Sequence, residues 1–199
     1  MNRHAMLRLT ILLAPLLLAA CNSASEPAEE PPLAGAAIGG EFTLVDQNGQ
    51  TRHWSDFRGK YAVVYFGYTY CPDICPTDVQ RTAQGLREFR RDHPDLGAKV
   101  QQLFISVDPA RDTPEVLGQF VSAFDPKIVG MTGTNEQLKA AASAFKVYFS
   151  KGQDEGGGAY LVDHSSITYL FDPQGKPLAT LPTDQGAEAV AQELAKWVR

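Results

Sequence analysis

Residues 66–76 have the sequence FGYTYCPDICP, which places two cysteines, Cys71 and Cys75, four positions apart. The run 61–66 is apolar on both faces and rich in aromatic and β-branched residues, so it predicts a strand in the middle of a sheet. The pattern that follows predicts a helix with Thr77 as its N-cap. A thiol at the start of a helix is expected to have a lowered pKa, because the helix dipole stabilises the thiolate. The stretch therefore predicts a dithiol that either binds a soft metal or exchanges disulfides.

Strand and helix patterns alternate along the rest of the chain. Strands are predicted at 41–46, 51–54, 61–66, 100–107, 128–131, 166–171 and 176–181, and helices from 77 to about 91, from 114 to about 124, from 134 to about 145 and over 187–198. This alternation predicts an α/β fold, with a mostly parallel sheet covered by helices on both faces and functional residues at the carboxyl ends of strands. Asn48-Gly49 predicts that the first two strands form a hairpin, which opens a single domain over 41–199.

The first twenty residues predict a lipoprotein signal peptide. Arg3 and Arg8 give a positive start, 9–20 is an apolar run too short for a permanent transmembrane helix, and Cys21 follows the tripeptide Leu-Ala-Ala. This ending resembles the bacterial lipobox, which implies cleavage before Cys21 and acylation of its sulfur. The alternative is an ordinary secretory signal with Cys21 left free. In both cases we expect the mature protein outside the cytoplasm, on the periplasmic side, and acylation would anchor it to the cell membrane.

Charge and composition limit how the mature chain can be attached. Residues 22–40 are rich in Pro, Ala, Glu and Gly, which together with Cys21 predicts a lipidated cysteine on a disordered tether over 21–40. Removal of 1–20 takes away two of the 18 basic residues and none of the 23 acidic ones, so the formal net charge changes from -5 to -7. An acidic chain argues against a nucleic-acid partner and against adhesion to anionic lipid. We therefore expect membrane attachment through acyl chains alone.

Three cysteines are present, and lipidation accounts for Cys21. Cys71 and Cys75 can then pair with each other or bind a metal; a structural disulfide is the alternative, although a three-residue loop removes little unfolded-state entropy. His164, in the sequence VDHSS, is the candidate third ligand, because a loop entering a sheet can bring it over the dithiol. From sequence alone, a lone histidine is more often a structural residue than a ligand. Two thiolates and one imidazole are too few for structural zinc, whereas thiolates favour Cu(I) and an imidazole makes Cu(II) acceptable.

The chain closely resembles the Sco/SenC family of membrane-tethered copper proteins. The resemblance lies in the segments FGYTYCPDICP, SVDPARDTPE, MTGT, KVYF and VDHSSITYLFDPQG. It implies a thioredoxin-like fold with an added N-terminal hairpin, copper held by Cys71, Cys75 and His164, and a role in building the binuclear copper site of cytochrome c oxidase subunit II. Two features depart from the family pattern: Tyr70 stands where many members have histidine, and 151–158 is rich in glycine.

Two functions would use the same dithiol. A metallochaperone passes copper by ligand exchange to the cysteines of a partner, whereas a thiol-disulfide reductase keeps those cysteines reduced so that metal can enter. Only the first needs His164, which favours copper delivery. A peroxiredoxin-like peroxidase, with Arg111 beside an activated thiolate, is a third hypothesis. The expected partners are subunit II and, in addition, another periplasmic copper chaperone and a thiol reductase.

A loop with several charged residues follows the predicted strand 100–107. The conservative interpretation is local, with Asp108-Pro109 starting a turn and Arg111 pairing with an acid. The sharper hypothesis is that Asp108 or Asp163 orients His164 or tunes the copper without binding it directly.

Overall fold

A computed structural model describes residues 29–153 and 159–199, in which nine β-strands and five α-helices are found. The strands are β1 (Thr43–Asp46), β2 (Thr51–His53), β3 (Tyr61–Gly67), β4 (Val100–Ser106), β5 (Val129–Thr132), β6 (Phe149–Lys151), β7 (Val162–His164), β8 (Thr168–Phe171) and β9 (Pro177–Thr180). The helices are α1 (Ile74–Asp92), α2 (Pro94–Gly97), α3 (Pro114–Ser122), α4 (Asn135–Ala144) and α5 (Ala187–Trp197). None of the described helices is both long enough and apolar enough to cross a membrane. The predicted signal peptide and Cys21 lie outside the described residues.

Seven strands form the main sheet, in the order β2-β1-β5-β4-β3-β8-β9. β3 runs parallel to β4 and β4 parallel to β5, while the remaining pairs are antiparallel. The α/β class and the N-terminal hairpin are confirmed. The prediction of a mostly parallel sheet is wrong, because the hairpins β1-β2 and β8-β9 add antiparallel strands at both edges of a parallel centre.

Helices cover both faces of the sheet. All seven residues of β3 are buried, as expected for a central strand. Val63 packs in one cluster with Leu86 of α1 and Leu194 of α5, whereas Val64 packs in a second cluster with Leu117 of α3. Successive side chains of a strand point to opposite faces, so α1 and α5 pack on the Val63 face of β3 and α3 packs on the Val64 face. This arrangement leaves the carboxyl ends of β3 and β4 available for a functional site.

Helix α1 begins four residues earlier than predicted, with Asp73 as its N-cap. The sequence favours Thr77 as the N-cap, but α1 starts at Ile74, so that Cys75 lies in its first turn. Pro76 is compatible with this start, because an amide in the first turn of a helix has no intrahelical partner. The early start changes the site: one cysteine lies inside the helix, while Cys71 precedes it.

The starts of α3 and α4 agree with the prediction. The Val116 amide donates to the Thr113 side chain (3.3 Å) at the start of α3. At the start of α4, the amide of Gln137 donates to the hydroxyl of Thr134, and the Thr134 amide donates to the Gln137 side chain, at 3.2 and 2.8 Å. This reciprocal capping box fixes the helix boundary locally, which is why the sequence could predict it.

Residues 29–40 lie along the domain, so the predicted disordered tether is wrong for this part of the chain. The amide of Leu33 donates to the carbonyl of Leu178 (2.9 Å), and that of Gly39 donates to Ala144 (3.0 Å). Leu33 and Ile38 pack against the core. These two apolar side chains gain enough contact with the domain to order a segment whose composition suggests disorder. The remaining part of the predicted tether, 22–28, lies outside the described residues.

A second, two-stranded sheet brings His164 to the site. β6 and β7 pair antiparallel, with Phe149 opposite His164 and Lys151 opposite Val162. His164 therefore ends a short strand, where the sequence predicted a loop entering one. The predicted glycine-rich loop 151–158 begins within β6, and its residues 154–158 lie outside the described residues.

Candidate metal centre

Cys71, Cys75 and His164 come together at the carboxyl end of β3. One ligand atom from each residue lies within 4.8 Å of the other two. The Cys75 Sγ to His164 Nε2 distance is 3.1 Å, and the backbone amide of Cys75 donates to the Sγ of Cys71 over 3.4 Å. Both cysteines are free thiols. Two sulfurs and one imidazole nitrogen thus converge on a space that one metal ion could occupy.

The two cysteines differ in burial. Cys75 has no solvent-exposed surface, whereas Cys71 is half-buried. Burial raises the pKa of the Cys75 thiol, since a thiolate would lose its hydration there. The expectation of a lowered thiol pKa at the helix start is therefore wrong for Cys75, because desolvation outweighs the helix dipole. The protonated thiol of Cys75 lies 3.1 Å from Nε2 of His164 and donates to this nitrogen when the nitrogen carries no proton.

His164 is oriented by its own backbone neighbour. Its Nδ1 lies 3.2 Å from the carbonyl oxygen of Ser165, so we assign the ring proton to Nδ1, which leaves the lone pair of Nε2 directed at the sulfurs. The rings of Tyr65 and Tyr68 meet the imidazole edge to face, with centroids at 6.0 and 5.9 Å. Burial lowers the pKa of His164, which favours the neutral imidazole that a metal requires.

Neither predicted carboxylate orients His164. Asp163 is exposed on β7, where strand alternation directs it away from its neighbour His164. Asp108 accepts a hydrogen bond from the Tyr160 hydroxyl (2.7 Å) and forms an ion pair with Arg111 at 2.5 Å. Within the described residues, no hydrogen bond joins either carboxylate to His164, and the Ser165 carbonyl occupies the position that the hypothesis gave to them. The local interpretation of Asp108 and Arg111 agrees with the structure.

Asp112 holds the loop that leads to Cys71, a role that the sequence analysis missed. This fully buried carboxylate accepts hydrogen bonds from the Thr69 hydroxyl (2.6 Å), the Thr69 amide (3.2 Å) and the Ser106 hydroxyl (2.6 Å). Burial raises the pKa of Asp112, and these donors act in the opposite direction. The carboxylate thereby connects the ends of β3 and β4 and fixes the approach to the first cysteine.

Arg111 stacks on aromatic rings next to the site. Its guanidinium carbon lies 3.6 Å from the ring centroid of Tyr160, 4.9 Å from that of Tyr70 and 5.6 Å from that of Tyr68. Its charge is paired with Asp108, and among the described residues no hydrogen bond joins it to a cysteine. Because Arg111 is paired with Asp108, it gives no support to the peroxidase hypothesis, which requires a cationic side chain in contact with the thiolate.

Gly67 makes room for the buried sulfur. A Cβ atom at this position would lie 2.9 Å from the Sγ of Cys75 and 2.8 Å from Cε1 of Tyr65. A side chain there would displace one of these groups, so glycine is required for the close approach of the helix to β3. The sequence signal was available, since Gly67 ends an otherwise bulky apolar strand.

Asp78 is a second residue that the sequence analysis missed. It is 2% exposed in α1, and burial raises the pKa of its carboxyl. With Ile74 and Ser166 it lines a cavity of about 470 Å³ beside the metal centre. The signal was its spacing: three residues after Cys75, an acid lies on the helix face that is directed at the domain.

Large apolar side chains are exposed around the site. Tyr70, Ile74, Tyr148 and Leu161 are 54, 42, 66 and 48% exposed, and they are the exposed large hydrophobic residues of the described chain. Tyr70 and Ile74 directly precede the two cysteines, and the Tyr148 carbonyl accepts a hydrogen bond from the amide next to His164. We call these four residues the apolar rim. Exposed large apolar side chains on the segments that carry the candidate ligands are consistent with an interaction surface.

Comparisons with known proteins agree with this geometry. The sequence model of the family described as SCO1/SenC matches residues 30–199. The mitochondrial protein SCO2 of Saccharomyces cerevisiae is 41% identical over 168 residues, which cover 81% of this chain and 54% of that protein. The chain therefore spans about half the length of this relative.

Two solved structures extend the likeness to the fold. Bradyrhizobium japonicum ScoI with copper bound has a TM-score of 0.73 and 35% identity, covering 81% of this chain and 99% of that chain. Yeast Sco1 with copper bound has a TM-score of 0.75 and 36% identity, covering 81% and 88%. The predicted thioredoxin-like fold is thus confirmed, and these neighbours were both solved with the metal that the predicted donor set favours. The chain belongs to the SCO1/SenC family.

Proposed function

We propose that the protein is a copper metallochaperone that binds copper through Cys71, Cys75 and His164 and helps to build the binuclear copper site of cytochrome c oxidase subunit II. The observation that supports this proposal most directly is the convergence of two thiols and one imidazole nitrogen within 4.8 Å of one another. Family membership and the copper in two similar structures support the same metal. The proposal includes acylation of Cys21, which would anchor the protein to the periplasmic side of the cell membrane.

The donor set suits copper as a cargo. Thiolates are soft ligands that favour Cu(I), and the neutral imidazole adds a nitrogen that Cu(II) accepts. Loading requires the Cys75 thiol to lose the proton that it shares with His164, after which Nε2 is free to bind the metal. Copper would pass to the recipient by ligand exchange, with each incoming thiolate replacing one of these three donors.

Delivery would proceed from the side of Cys71. Cys75 is fully buried, so an incoming thiolate of the recipient can reach the metal only past Cys71 and His164, which are half-buried. Residues of the apolar rim lie on the segments that carry these ligands and would contact the recipient during ligand exchange. Another periplasmic copper chaperone and a thiol reductase are the further partners in this proposal, because the site must be loaded and its cysteines kept reduced.

A thiol-disulfide reductase is the second candidate function. The two sulfurs are close enough for a disulfide to form after a small movement, and Cys71 is accessible enough to attack a partner disulfide. In that reaction the partner gains two thiols, and Cys71 and Cys75 become oxidised to a disulfide that another thiol reductant must reduce. His164 has no required part in this chemistry.

His164→Ala distinguishes the two functions. We expect the variant to retain Cu(I) binding by the dithiol, and to lose Cu(II) affinity by more than about tenfold, since even changes outside the ligand shell typically cost about 10 to 100-fold. Its rate of reducing an oxidised peptide from the copper site of subunit II should stay close to wild type. His53→Ala, an exposed histidine on β2, is the matched control and should leave all three measurements unchanged.

Oxidase assembly in cells decides between the candidates. Cells carrying only His164→Ala should lack normal cytochrome c oxidase activity if copper delivery is the main function. Normal oxidase activity in such cells would overturn the chaperone proposal and favour the reductase.

A further inference from the structure

The end of the main sheet opposite the metal centre carries exposed cations. Lys60, Lys99 and Lys176 directly precede the first residues of β3, β4 and β9, and all three lysines are exposed. β3 pairs in parallel with β4, and β9 runs in the same direction because both it and β3 are antiparallel to β8. The three strands therefore begin at one end of the sheet, and the dithiol lies beyond the other end of β3.

Three further cations lie at the same end. Arg58 and Lys146 line an open cavity of about 480 Å³ together with Lys176. The amide of Arg199 donates to the hydroxyl of Tyr61, the first residue of β3 (3.1 Å). We call the resulting set the basic end: Arg58, Lys60, Lys99, Lys146, Lys176 and Arg199.

Acidic groups at the basic end are outnumbered by its cations. Asp92 is ion-paired with Arg91 at 2.8 Å, and Asp95 of α2, four residues before Lys99, is exposed. Glu41 forms an exposed ion pair with Arg58 at 3.3 Å. The carboxylate of Asp172 accepts hydrogen bonds from the amides of Gln174 and Lys176, at 2.8 and 2.7 Å, and so shapes the turn between β8 and β9. The basic end therefore carries net positive charge, although the chain as a whole is acidic.

The charges that make the chain acidic include several at the other end of the sheet. Asp73, Asp108 and Asp163 lie close to the metal centre in the fold. The seven residues of β3 span roughly 20 Å. The Debye length at physiological salt is about 8 Å, so a surface that touches the basic end scarcely senses these acids. Net charge is thus a poor guide to how this end of the molecule interacts.

The path of the N-terminal segment also leads to the basic end. Glu29 forms an ion pair with Lys196 near the end of α5 (3.5 Å), and the Leu33 amide is bound to Leu178 of β9. Cys21 precedes Glu29 by eight residues, which span at most about 28 Å. A membrane anchor on Cys21 would therefore hold the basic end close to the lipid headgroups.

We propose that the basic end lies against an anionic phospholipid surface, so that the metal centre faces away from the membrane. The inference rests on the acylation of Cys21 that is part of the proposed function. The acyl chains supply the attachment, and the cations select which end of the domain faces the lipid. This orientation keeps Cys71, His164 and the apolar rim accessible to partner proteins in the aqueous phase.

Energy transfer from tryptophan to labelled lipid tests the orientation. The sequence contains two tryptophans: Trp54 lines the cavity of the basic end, and Trp197 packs in one cluster with Tyr61. The acylated protein, with its mass verified, is incorporated into vesicles that carry dansyl-labelled headgroups. Vesicles of phosphatidylglycerol and phosphatidylcholine are compared with vesicles of phosphatidylcholine alone. We expect stronger transfer in the anionic vesicles, falling to the neutral level near 1 M salt, where the Debye length is about 3 Å.

Charge reversal supplies the matched variants. Lys60→Glu with Lys176→Glu should reduce transfer in anionic vesicles to the level of neutral vesicles. Lys139→Glu with Lys151→Glu makes the same change of net charge beside Asp108, near the other end of the sheet, and should leave transfer close to wild type. Circular dichroism and copper stoichiometry verify that both variants are folded.

Each other outcome overturns the inference in a recognisable way. Equal transfer in anionic and neutral vesicles, or equal loss in both variants, would show that the cations do not orient the domain. A preparation from cells in which Cys21 carries no acyl group would remove the anchor itself, and mass spectrometry identifies that failure. Copper binding, measured by titration of the same preparation, depends neither on the acyl group nor on the orientation of the domain at the membrane.

Discussion

The two ends of β3 differ in how completely their buried groups are satisfied. At the carboxyl end, the hydroxyls of Tyr65 and Thr168 and one guanidinium nitrogen of Arg111 are buried without a hydrogen-bond partner among the described residues. The apolar rim is exposed at this same end. Unpaired buried polar atoms are rare in folded proteins, and here they cluster beside the candidate ligands. This end is organised for an additional component.

The amino end of β3 is instead closed by aromatic packing. Trp54 meets Phe145 and Phe171 edge to face, with ring centroids 5.2 Å apart in both pairs, and all three side chains are buried. The strand pairing places Phe171 opposite Ala62, next to the start of β3. The difference between the two ends predicts that much of the stability comes from packing away from the metal centre. The site can therefore retain unsatisfied and exposed groups without loss of the fold.

The largest expected effect is on copper binding at the carboxyl end. Cys71→Ser or Cys75→Ser should weaken Cu(I) binding by more than about 100-fold, because loss of a ligand should exceed the effect of changes outside the ligand shell. Competition titration with a Cu(I) chelator measures the effect. Cys21→Ser leaves the dithiol intact and is the control. Stoichiometric tight binding by either single serine variant would contradict the proposed site.

A change at the amino end of β3 should reduce stability and leave copper binding unchanged. Phe171→Ala is expected to destabilise the protein by about 3–5 kcal/mol, the usual cost of removing a buried aromatic ring. Chemical denaturation measures the loss, and copper titration of the remaining folded protein should give wild-type stoichiometry. Phe171→Leu keeps more of the volume and should cost less. Coupled loss of stability and copper affinity would show that the two ends are not separable.

Sequence patterns predicted what local rules determine. The capping box at Thr134, the hairpin at Asn48-Gly49 and the central strand β3 all follow from short-range patterns, and the structure contains them. The closeness of His164 to the dithiol was predicted only because it follows a loop near a strand and matches a family motif. The structure brings it there through the β6-β7 pair, a tertiary contact.

What the sequence could not predict depends on neighbours that are distant in the chain. Burial raises the pKa of Cys75, whereas the local rule for a helix start predicts the opposite. The segment containing Leu33 and Ile38 is ordered because the domain provides a surface for those two side chains. The spacing of Asp78 places it on the inner face of α1, but the burial of its carboxyl depends on distant neighbours, Thr183 and Tyr65 among them.

Gly67 is the last residue of β3, where the well-packed strand reaches the metal centre. Gly67→Ala should cost about 1–3 kcal/mol of stability, because the new methyl group would overlap the Cys75 sulfur and the Tyr65 ring. It should also weaken Cu(I) binding by displacing that sulfur. Gly118→Ala is the control, since its nearest neighbour would lie at 3.6 Å and alanine favours a helix interior. Unchanged stability and affinity in Gly67→Ala would contradict the tight packing at the site.

The raised pKa of Cys75 predicts a pH dependence for copper binding. The metal-free thiol keeps its proton through the neutral range, so displacing this proton should contribute about a tenfold rise in Cu(I) affinity per pH unit, in addition to any proton that Cys71 releases. The same shift affects stability with a defined sign. The folded pKa lies above the unfolded value of about 8.5, so this contribution is present below that pH and is lost as the pH rises. Competition titrations at several pH values measure the slope, and a pH-independent affinity would contradict a protonated Cys75.

The smallest expected effect concerns the apolar rim. Tyr148→Ser removes a side chain that is 66% exposed and lies outside the ligand set, so copper affinity and stability should stay near wild type. If the recipient contacts the rim during ligand exchange, the rate of copper transfer should fall roughly fivefold, corresponding to about 1 kcal/mol of contact energy. Stopped-flow transfer to a soluble copper domain of subunit II measures the rate, and Tyr148→Phe, which keeps the apolar ring, should transfer normally. Equal transfer rates for serine and phenylalanine would show that the exposed apolar groups at this end have no part in delivery, and would leave the ligands alone to explain how copper passes to its partner.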